Sequence, residues 1–380
     1  MDIQLTDEQA QVRDLCREFA DKELRPGARR WDAEHTFPGQ AIRQLAEMGL
    51  MGVMVAPEWG GAGMGAVTYA LAVEEISRGC AGTGVIVSVN NSLFCDPVSG
   101  AGTDEQKREF LLPFARGEKL GAFALTEPMS GSDAAEMRTT ATRSGDGYLL
   151  SGTKNFITNG PQADAILVFA MTDRERRHKG ISAFLVPTDA PGFTRGKPDE
   201  KLGIRASGSC SVFFERCAIP ARFRLGEEGD GFKIAMSALD GGRVGIAAQA
   251  LGIARAALEE AIAYAKDRRA FGQPIAQFQA IQFMLADMQT ELEAARLLVW
   301  RAAALKDRKQ RHTAESAMAK LFASEMCERV TSHALQIHGG YGYVKDFDAE
   351  RHWRDSRITQ IYEGTSEIQR LVISSAVLKE

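Results

Sequence analysis

Residues 281–302 have the sequence IQFMLADMQTELEAARLLVWRA, in which apolar side chains recur at helical spacing over many turns. The stripe comprises Ile281, Met284, Leu285, Met288, Leu292, Ala295, Leu298, Val299 and Ala302. A stripe of this length is typical of a helix that is packed in a bundle. Two further helical stretches, at about 244–267 and 314–338, flank it. Together with the tail of the chain they predict a C-terminal bundle of four helices.

The segment before this bundle has short apolar or alternating runs that are separated by turn-forming residues. The runs have the length of β-strands and lie at 122–125, 148–150, 165–171, 181–186 and 211–214. Their spacing predicts a small antiparallel sandwich or barrel. No alternation of strands and helices appears, so a doubly wound dinucleotide-binding sheet is not expected.

The first third of the chain is predicted to be helical. Thr6 and Gln9 form a capping box, and the residues after them have a helical period up to a glycine-rich loop at 57–63. The predicted fold is therefore mainly α with a central β domain. It consists of an N-terminal helical domain (1–120), a middle β domain (121–231) and a C-terminal helical bundle domain (232–380).

The composition is that of a globular protein of 380 residues. Lys and Arg number 46 against 50 Asp and Glu, a net charge of −4 that does not suit a nucleic-acid partner. The six cysteines show neither a CxxC pair nor zinc-ligand spacing, so we expect no metal and no disulfide scaffold. Apolar runs are too short to span a membrane, and residues 1–7 do not resemble a targeting peptide. These features predict a cytoplasmic, bacterial protein.

Two segments in the β region could form a binding site. The turn TEPMSGSD at 126–133 directly follows a strand, and its hydroxyls and N–H groups could hold an anion or a ring edge. An ordinary surface turn is the alternative. In GTKNFITNG at 152–160, Phe156 and Thr158 alternate and should share one face of a strand, which would suit a planar heterocycle. The alternative for Phe156 is a place in the sheet core.

Two further segments lie near the C-terminus. QIHGGYG at 336–342 ends a helix, and its paired glycines would allow a ligand close to the backbone; a helix end followed by a turn is the alternative. His338 alone is expected to be a structural histidine. In IYEGTSE at 361–367, Glu363 lies between an aromatic residue and a glycine. Apolar surroundings would raise the pKa of Glu363 and make it a base at neutral pH, whereas a solvated glutamate is the alternative.

Together these segments resemble the acyl-CoA dehydrogenase family, flavoproteins that oxidise acyl-CoA thioesters to enoyl-CoA. The resemblance covers nearly the whole chain and keeps the order of six motifs: TEPMSGSD at 126–133, KNFITN at 154–159, KLGIRAS at 201–207, RRAFG at 268–272, QIHGGYGY at 336–343 and YEGTSEIQR at 362–370. Residues 88–93, 231–236 and 239–243 are most similar to the short-chain, butyryl-type members.

The resemblance implies FAD as the cofactor. Residues 123–132 and 156–158 would hold the flavin ring, with hydrogen bonds from Thr126 and Thr158 and with Phe156 against the isoalloxazine. Arg268 would reach the pyrophosphate of the FAD in a neighbouring subunit. The expected cofactor-binding residues are Phe123, Leu125, Thr126, Gly131, Ser132, Phe156, Ile157, Thr158, Arg268, Phe271, Phe278, Gln279, Gln336, Gly339, Gly340, Thr365 and Glu367.

The resemblance also implies a substrate site and a mechanism. Glu363 would be the catalytic base that removes the α-proton of the acyl-CoA, while the β-hydride leaves for flavin N5. The backbone N–H of Glu363 and a ribityl hydroxyl of FAD would stabilise the charge on the thioester oxygen. The family further implies a homotetramer, a dimer of dimers, that passes electrons to an electron-transferring flavoprotein. Contacts with the CoA substrate are expected from Ser132, Asp240, Arg243, Tyr362 and Gly364.

Three positions bear on this resemblance. Phe156 stands where many members have Trp, and Met129-Ser130 replaces a common Gly-Ala. Some branched-chain and long-chain members place the base on the helix near Gly242, but a glycine cannot serve as a base, which favours Glu363.

The alternative functions are a dehydrogenase or oxidase for a branched or cyclic acyl-CoA and a non-catalytic flavin-binding protein. The second would need a basic patch or an extra domain, and the charge and length offer neither.

Overall fold

The computed structural model describes residues 4–379. Its N-terminal part is helical, as predicted, and π-helical segments at Ala20–Leu24 and Val89–Cys95 continue two of the helices. The capping box is present, because Thr6 Oγ1 accepts from the N–H of Gln9 at 3.2 Å. The helices are α1 (Asp7–Phe19), α2 (Arg25–Glu34), α3 (Gly39–Glu47), α4 (Ala66–Gly79), α5 (Ala81–Ser88), α6 (Asp96–Ala101), α7 (Asp104–Phe110) and α8 (Leu112–Ala115).

Two buried asparagines fix the irregular segment between α3 and α4. The side-chain amide of Asn91 donates to the carbonyl of Leu50 at 2.9 Å and accepts from the N–H of Val53 at 2.8 Å. Asn90 donates to the carbonyl of Met51 at 2.8 Å and accepts from the N–H of Gly121, where the β region begins, at 2.9 Å. These bonds satisfy backbone groups that would otherwise be buried without partners.

The middle of the chain forms one eight-stranded sheet with the order β6-β7-β3-β2-β4-β5-β8, and β1 pairs with β4. Most pairings are antiparallel, as predicted, but β1 runs parallel to β4, and β2 meets β4 in parallel through Thr140 and Met171. The strands are β1 (Gly121–Ala124), β2 (Thr140–Ser144), β3 (Gly147–Thr158), β4 (Ala165–Met171), β5 (Ile181–Pro187), β6 (Phe193–Pro198), β7 (Ser209–Pro220) and β8 (Arg224–Leu225).

Each predicted strand is present, and two of them are parts of longer strands. The runs at 148–150 and 211–214 lie within the twelve-residue strands β3 and β7. The apolar pattern did not identify β2 and β6, whose sequences are TATRS and FTRGKP. Their side chains are mostly polar and exposed, so the hydrophobic pattern that identifies a half-buried strand is missing.

The C-terminal part consists of long helices and contains the predicted bundle. A two-residue hairpin of β9 (Arg269–Ala270) and β10 (Gln273–Pro274) separates the first two helices. Helix α9 begins thirteen residues before the predicted start at 244, because the helix runs on through Gly241 and Gly242. The helices are α9 (Gly231–Asp267), α10 (Gln279–Asp307), α11 (Thr313–His338), α12 (Ala349–Arg357) and α13 (Ser366–Val377).

The described residues bury two hydrophobic clusters. One joins the N-terminal helices to α9, α10 and α11, and it buries Met288, Leu292, Ala295, Val299 and Ala302 of the predicted stripe. The other fills the sheet and its contacts with α6, α7 and α8. Across residues 4–379, every helix is too short or too polar to cross a lipid bilayer.

Candidate active site

A cavity of about 290 Å³ lies where the sheet, α9 and the segment before α13 meet. It brings together residues that are far apart in the sequence, including both β-region segments and the segment that contains Glu363. The expected site residues that line it are Phe123, Leu125, Thr126, Gly131, Ser132, Phe156, Ile157, Thr158, Arg243, Tyr362, Glu363 and Gly364.

Glu363 presents an isolated carboxylate to this cavity. The residue as a whole is only partly buried, but both of its carboxylate oxygens are screened from solvent and have no hydrogen-bond partner among the described residues. Burial raises the pKa of Glu363 to about 8, against the opposing effect of the positive charges of Lys320 and Arg243. A solvated glutamate, the alternative from sequence, does not describe this side chain.

The backbone of Glu363 and Gly364 forms a left-handed turn, with φ angles of 52° and 91°. The Lys320 ammonium donates to the carbonyl of Gly364 at 2.7 Å. The Gln369 side chain donates to the same carbonyl at 2.8 Å and to that of Glu363 at 3.2 Å. Thr365 caps α13 by accepting from the N–H of Ile368 at 3.4 Å. The turn is therefore held by its carbonyls, while the N–H of Glu363 has no acceptor within residues 4–379.

Gly242 leaves the space that the carboxylate occupies. A Cβ atom at this position would overlap with Oε2 of Glu363 and would lie 2.9 Å from Cδ2 of Leu93. The absence of a side chain at Gly242 thus allows Glu363 to lie directly against the backbone of α9.

Three further expected substrate residues form side-chain hydrogen bonds. Arg243 is buried and donates to Asp240 at 2.7 Å, and Asp240 also accepts from the hydroxyl of Thr313 at 2.6 Å. Burial lowers the pKa of Arg243, while Asp240 and Glu363 act in the opposite direction. The hydroxyl of Tyr362 donates to Gln249.

Phe156 has a ring that is 69% exposed and lies on the cavity wall rather than in the sheet core. Phe156 and Thr158 flank the buried Ile157, and both line the cavity. The backbone is irregular here, because φ of Phe156 is 59° and the register with β7 shifts between Lys154 and Ile157. The core alternative for Phe156 is therefore wrong.

A buried ion pair connects the two segments of the β region. The ammonium of Lys154, which is fully buried, donates to Glu127 at 2.8 Å and to the carbonyl of Leu125 at 3.0 Å. Burial alone would raise the pKa of Glu127, but Lys154 and nearby donors, including the N–H groups of Arg138 and Thr139, lower it overall. Sequence reasoning missed this pair, although both residues lie in the motifs that we quoted.

A second, more open cavity of about 610 Å³ collects Arg268, Gly339 and Gly340. His338 is buried there, bonds to the carbonyl of Ala334 at 2.8 Å and stacks on Tyr264, as expected for a structural histidine. Several expected site residues lie outside the linings of both cavities. They are Asp240, Phe271, Phe278, Gln279, Gln336, Thr365 and Glu367.

The first cavity has the features that a flavin ring requires. Phe156 offers an exposed aromatic ring, and the hydroxyls of Thr126 and Thr158, which also line the cavity, make no hydrogen bond within the described chain. A side chain at Gly131 would meet open space. The second cavity offers the exposed guanidinium of Arg268, a group that pairs well with phosphate. These residues could hold the ring and the phosphates of FAD.

One acidic cluster has the spacing of metal ligands, namely Glu260, Asp348 and His352. Arg25 pairs with Glu260 at 3.0 Å, and Arg29 pairs with Asp348 at 3.2 Å. Arginine charges therefore already compensate the carboxylates, and we assign no metal to this cluster.

Comparison with known proteins identifies the class. The acyl-CoA dehydrogenase N-terminal, middle and C-terminal domains match residues 6–118, 122–217 and 229–378. The short-chain specific acyl-CoA dehydrogenase of Bos taurus mitochondria is 56% identical over 377 residues, which are 99% of this chain and 92% of that protein.

Two solved structures are similar over their whole length. Butyryl-CoA dehydrogenase from Megasphaera elsdenii has a TM-score of 0.98 at 46% identity, with 100% of both chains covered. A chain in a structure concerned with the electron transferring flavoprotein of Acidaminococcus fermentans has a TM-score of 0.99 at 48% identity, again with 100% of both chains covered.

The fold and the site thus define a flavoprotein oxidoreductase. More particularly, the chain belongs to the acyl-CoA dehydrogenase family. It acts on a CH–CH bond of acyl-CoA and uses FAD.

Replacing Lys154 by Met should destabilise the β region, because Glu127 then keeps a buried charge without its cation. We expect the free energy of unfolding to fall by about 3 kcal/mol and FAD to dissociate more readily. Urea unfolding and flavin absorbance after gel filtration measure the two effects.

Lys197→Met, at an exposed lysine on β6, is the matched control and should change neither. Adding Glu127→Gln to Lys154→Met should restore part of the stability. If Lys154→Met unfolds at the wild-type urea concentration, the ion pair does not stabilise this region.

Proposed function

We propose that the protein dehydrogenates short, straight acyl-CoA thioesters to trans-2-enoyl-CoA, with Glu363 as the base that removes the α-proton. The observation that carries this proposal is the carboxylate of Glu363, which faces the cavity, is screened from water and has no hydrogen-bond partner among the described residues. A group in this state is free to accept a proton from a substrate.

The surroundings of Glu363 suit proton removal in two ways. A pKa near 8 makes the carboxylate a stronger base than an ordinary glutamate, although a useful fraction of it is still ionised near neutral pH. An α-proton of a thioester is weakly acidic, so the negative charge that develops on the thioester oxygen must be stabilised. The N–H of Glu363, which has no acceptor within residues 4–379, is proposed to donate to that oxygen. Bound FAD supplies the acceptor for the β-hydride.

We propose that the first cavity holds the flavin ring and the acyl group. Phe156 would lie against the ring, and Thr126 and Thr158 would bond to its edge. Ser132, Asp240, Arg243, Tyr362 and Gly364 would contact the CoA thioester, and Thr365 and Glu367 would contact the flavin. The other proposed flavin contacts are Phe123, Leu125, Gly131 and Ile157.

The adenine-nucleotide part of FAD is proposed to lie between subunits. Arg268 would bind the pyrophosphate of a neighbouring subunit's FAD, and Phe271 has a ring that is 96% exposed in the single chain. A neighbouring subunit that covers this ring would remove its apolar surface from water. We therefore propose a homotetramer built from dimers, with Phe278, Gln279, Gln336, Gly339 and Gly340 completing this site.

The preference for a short chain rests on the cavity and on the relatives. Apolar side chains line the cavity, among them Val89, Leu93, Met236 and Leu239. The similar proteins from Bos taurus and Megasphaera elsdenii are described as short-chain specific and as a butyryl-CoA dehydrogenase. The similar chain in the Acidaminococcus fermentans structure supports an electron-transferring flavoprotein as the acceptor.

Glu363→Gln should abolish the reaction while keeping the cofactor. The amide is nearly isosteric with the carboxylate but cannot take up the α-proton. Anaerobic addition of butyryl-CoA should bleach the flavin absorbance of the wild-type protein. We expect the rate of bleaching to be about 1000-fold lower in the variant. Glu200→Gln, at an exposed glutamate, should bleach at the wild-type rate. Rapid bleaching by Glu363→Gln would remove Glu363 from this role.

The pH dependence of kcat/KM for butyryl-CoA should report the pKa of Glu363 in the free enzyme. This pKa is raised, so the active, ionised form predominates only above about pH 8. We expect kcat/KM to fall about tenfold for each pH unit below that value and to be constant above it. FAD content at each pH provides the control. If kcat/KM stays constant from high pH down to pH 6, Glu363 is not the base whose ionisation limits the reaction.

The acyl chain length should affect turnover strongly. We expect kcat/KM to be highest for butyryl-CoA and roughly tenfold lower for octanoyl-CoA, because additional methylenes must displace apolar wall residues. Leu93→Ala enlarges the cavity and should raise the relative value for octanoyl-CoA. Isobutyryl-CoA as the best substrate would indicate a branched-chain enzyme, and stoichiometric peroxide under air would indicate an oxidase.

A further inference from the structure

Lys320 is a buried cation beside the turn that contains Glu363. It lies on α11 and is fully shielded from solvent. Its ammonium donates to the carbonyl of Gly364 at 2.7 Å, but it forms no ion pair within residues 4–379. Burial of a lysine without a paired carboxylate costs free energy, so a purely structural hydrogen bond at this position would be served better by a neutral donor.

Such a neutral donor is already present. Gln369, also fully buried, donates to the same carbonyl of Gly364 at 2.8 Å. The turn therefore has two donors at one oxygen, and they differ in charge. What Lys320 adds to Gln369 is a positive charge that acts on Glu363, whose carboxylate has no cation in direct contact among the described residues.

We propose that Lys320 is a positioning residue for proton removal, which anchors the Gly364 carbonyl and whose charge favours the ionised form of Glu363. The inference rests on the proposed role of Glu363 as the base. Lys320 does not line the cavity and therefore acts through the turn and through its field, not by touching the substrate.

The charged groups around the pair determine the direction of the effect. The charges of Glu363, Arg243, Glu367 and Glu325 act on Lys320, and burial lowers its pKa to about 7 while Glu363 opposes that shift. Lys320 and Arg243 in turn oppose the rise in the pKa of Glu363. The ionised forms of Lys320 and Glu363 thus stabilise each other, and loss of the lysine makes the carboxylate harder to ionise.

Two tyrosines complete the surroundings of Glu363. The pKa values of Tyr69 and Tyr362 lie above the usual range because both hydroxyls are buried, with the negative charge of Glu363 as a further cause. Both tyrosines remain neutral over the pH range of the test. A shift in the titration of Glu363 after replacement of Lys320 is therefore not caused by them.

The test follows proton removal alone, without electron transfer. The probe is (methylthio)acetyl-CoA, in which sulfur occupies the β position and cannot release a hydride. Glu363 takes the α-proton, the protonated carboxyl exchanges it for deuterium from the solvent, and return of that deuterium to carbon replaces one C–H bond by one C–D bond. The holoprotein, Lys320→Met, Gln369→Leu and Glu363→Gln are compared by mass spectrometry from pH 6 to 10.

We expect the apparent pKa of exchange to rise by one unit or more in Lys320→Met, so that exchange at pH 7 slows about tenfold and recovers at high pH. Gln369→Leu, which loses a donor but no charge, should keep the wild-type pKa. FAD content and circular dichroism verify that each variant is folded. Lys320→Gln, which is neutral but keeps a donor, should show the same upward shift and replaces Lys320→Met if that variant loses FAD.

Each outcome separates the two proposals. A profile of the neutral variants that coincides with the wild type, or an equal shift in Gln369→Leu, overturns the role of Lys320 and leaves that of Glu363 intact. Exchange by Glu363→Gln at the wild-type rate overturns the role of Glu363 and with it the inference.

Discussion

The carboxylate of Glu363 is screened from water and has no hydrogen-bond donor among residues 4–379. The surrounding structure makes this possible, because the bare backbone at Gly242 leaves room for the carboxylate. A buried charge of this kind is unfavourable, because neither solvent nor a partner compensates it. The molecule limits the cost with cations that act at a distance, not by direct contact. A closely paired glutamate would be a weak base, whereas an exposed one would have an ordinary pKa. Glu363 is a stronger base than either, because burial raises its pKa to about 8 and the distant cations offset only part of that rise.

Other buried polar side chains hold irregular segments of the backbone in place. Lys154 and Glu127 fix the turn after β1 to strand β3. Asn90 and Asn91 fix the segment between α3 and α4 and the start of β1. Hydrogen bonds formed away from water restrict these irregular segments to one conformation. The turn after β1, which lines part of the cavity, is therefore held in place by buried side chains.

Sequence reasoning recovered the features that depend on local patterns. The stripe at 281–302 identified α10, and the capping box at Thr6 identified the start of α1. It did not identify β2, which lacks an apolar face, or the first turns of α9, which include Gly241 and Gly242. The same limit applies to the site.

Glu363 could be identified because its neighbours in the chain, an aromatic residue and a glycine, already suggest an unusual environment. The partners of Lys154 and Lys320 could not be identified, since Glu127 and Gly364 lie 27 and 44 residues away and only the tertiary fold brings them into contact.

The bare backbone of Gly242 also has an evolutionary consequence, because any side chain there competes with the carboxylate of Glu363 for the same volume. Under the proposed role of Glu363, a second carboxylate acquired on α9 would displace the first from its position, so that the gain of one and the loss of the other become coupled steps.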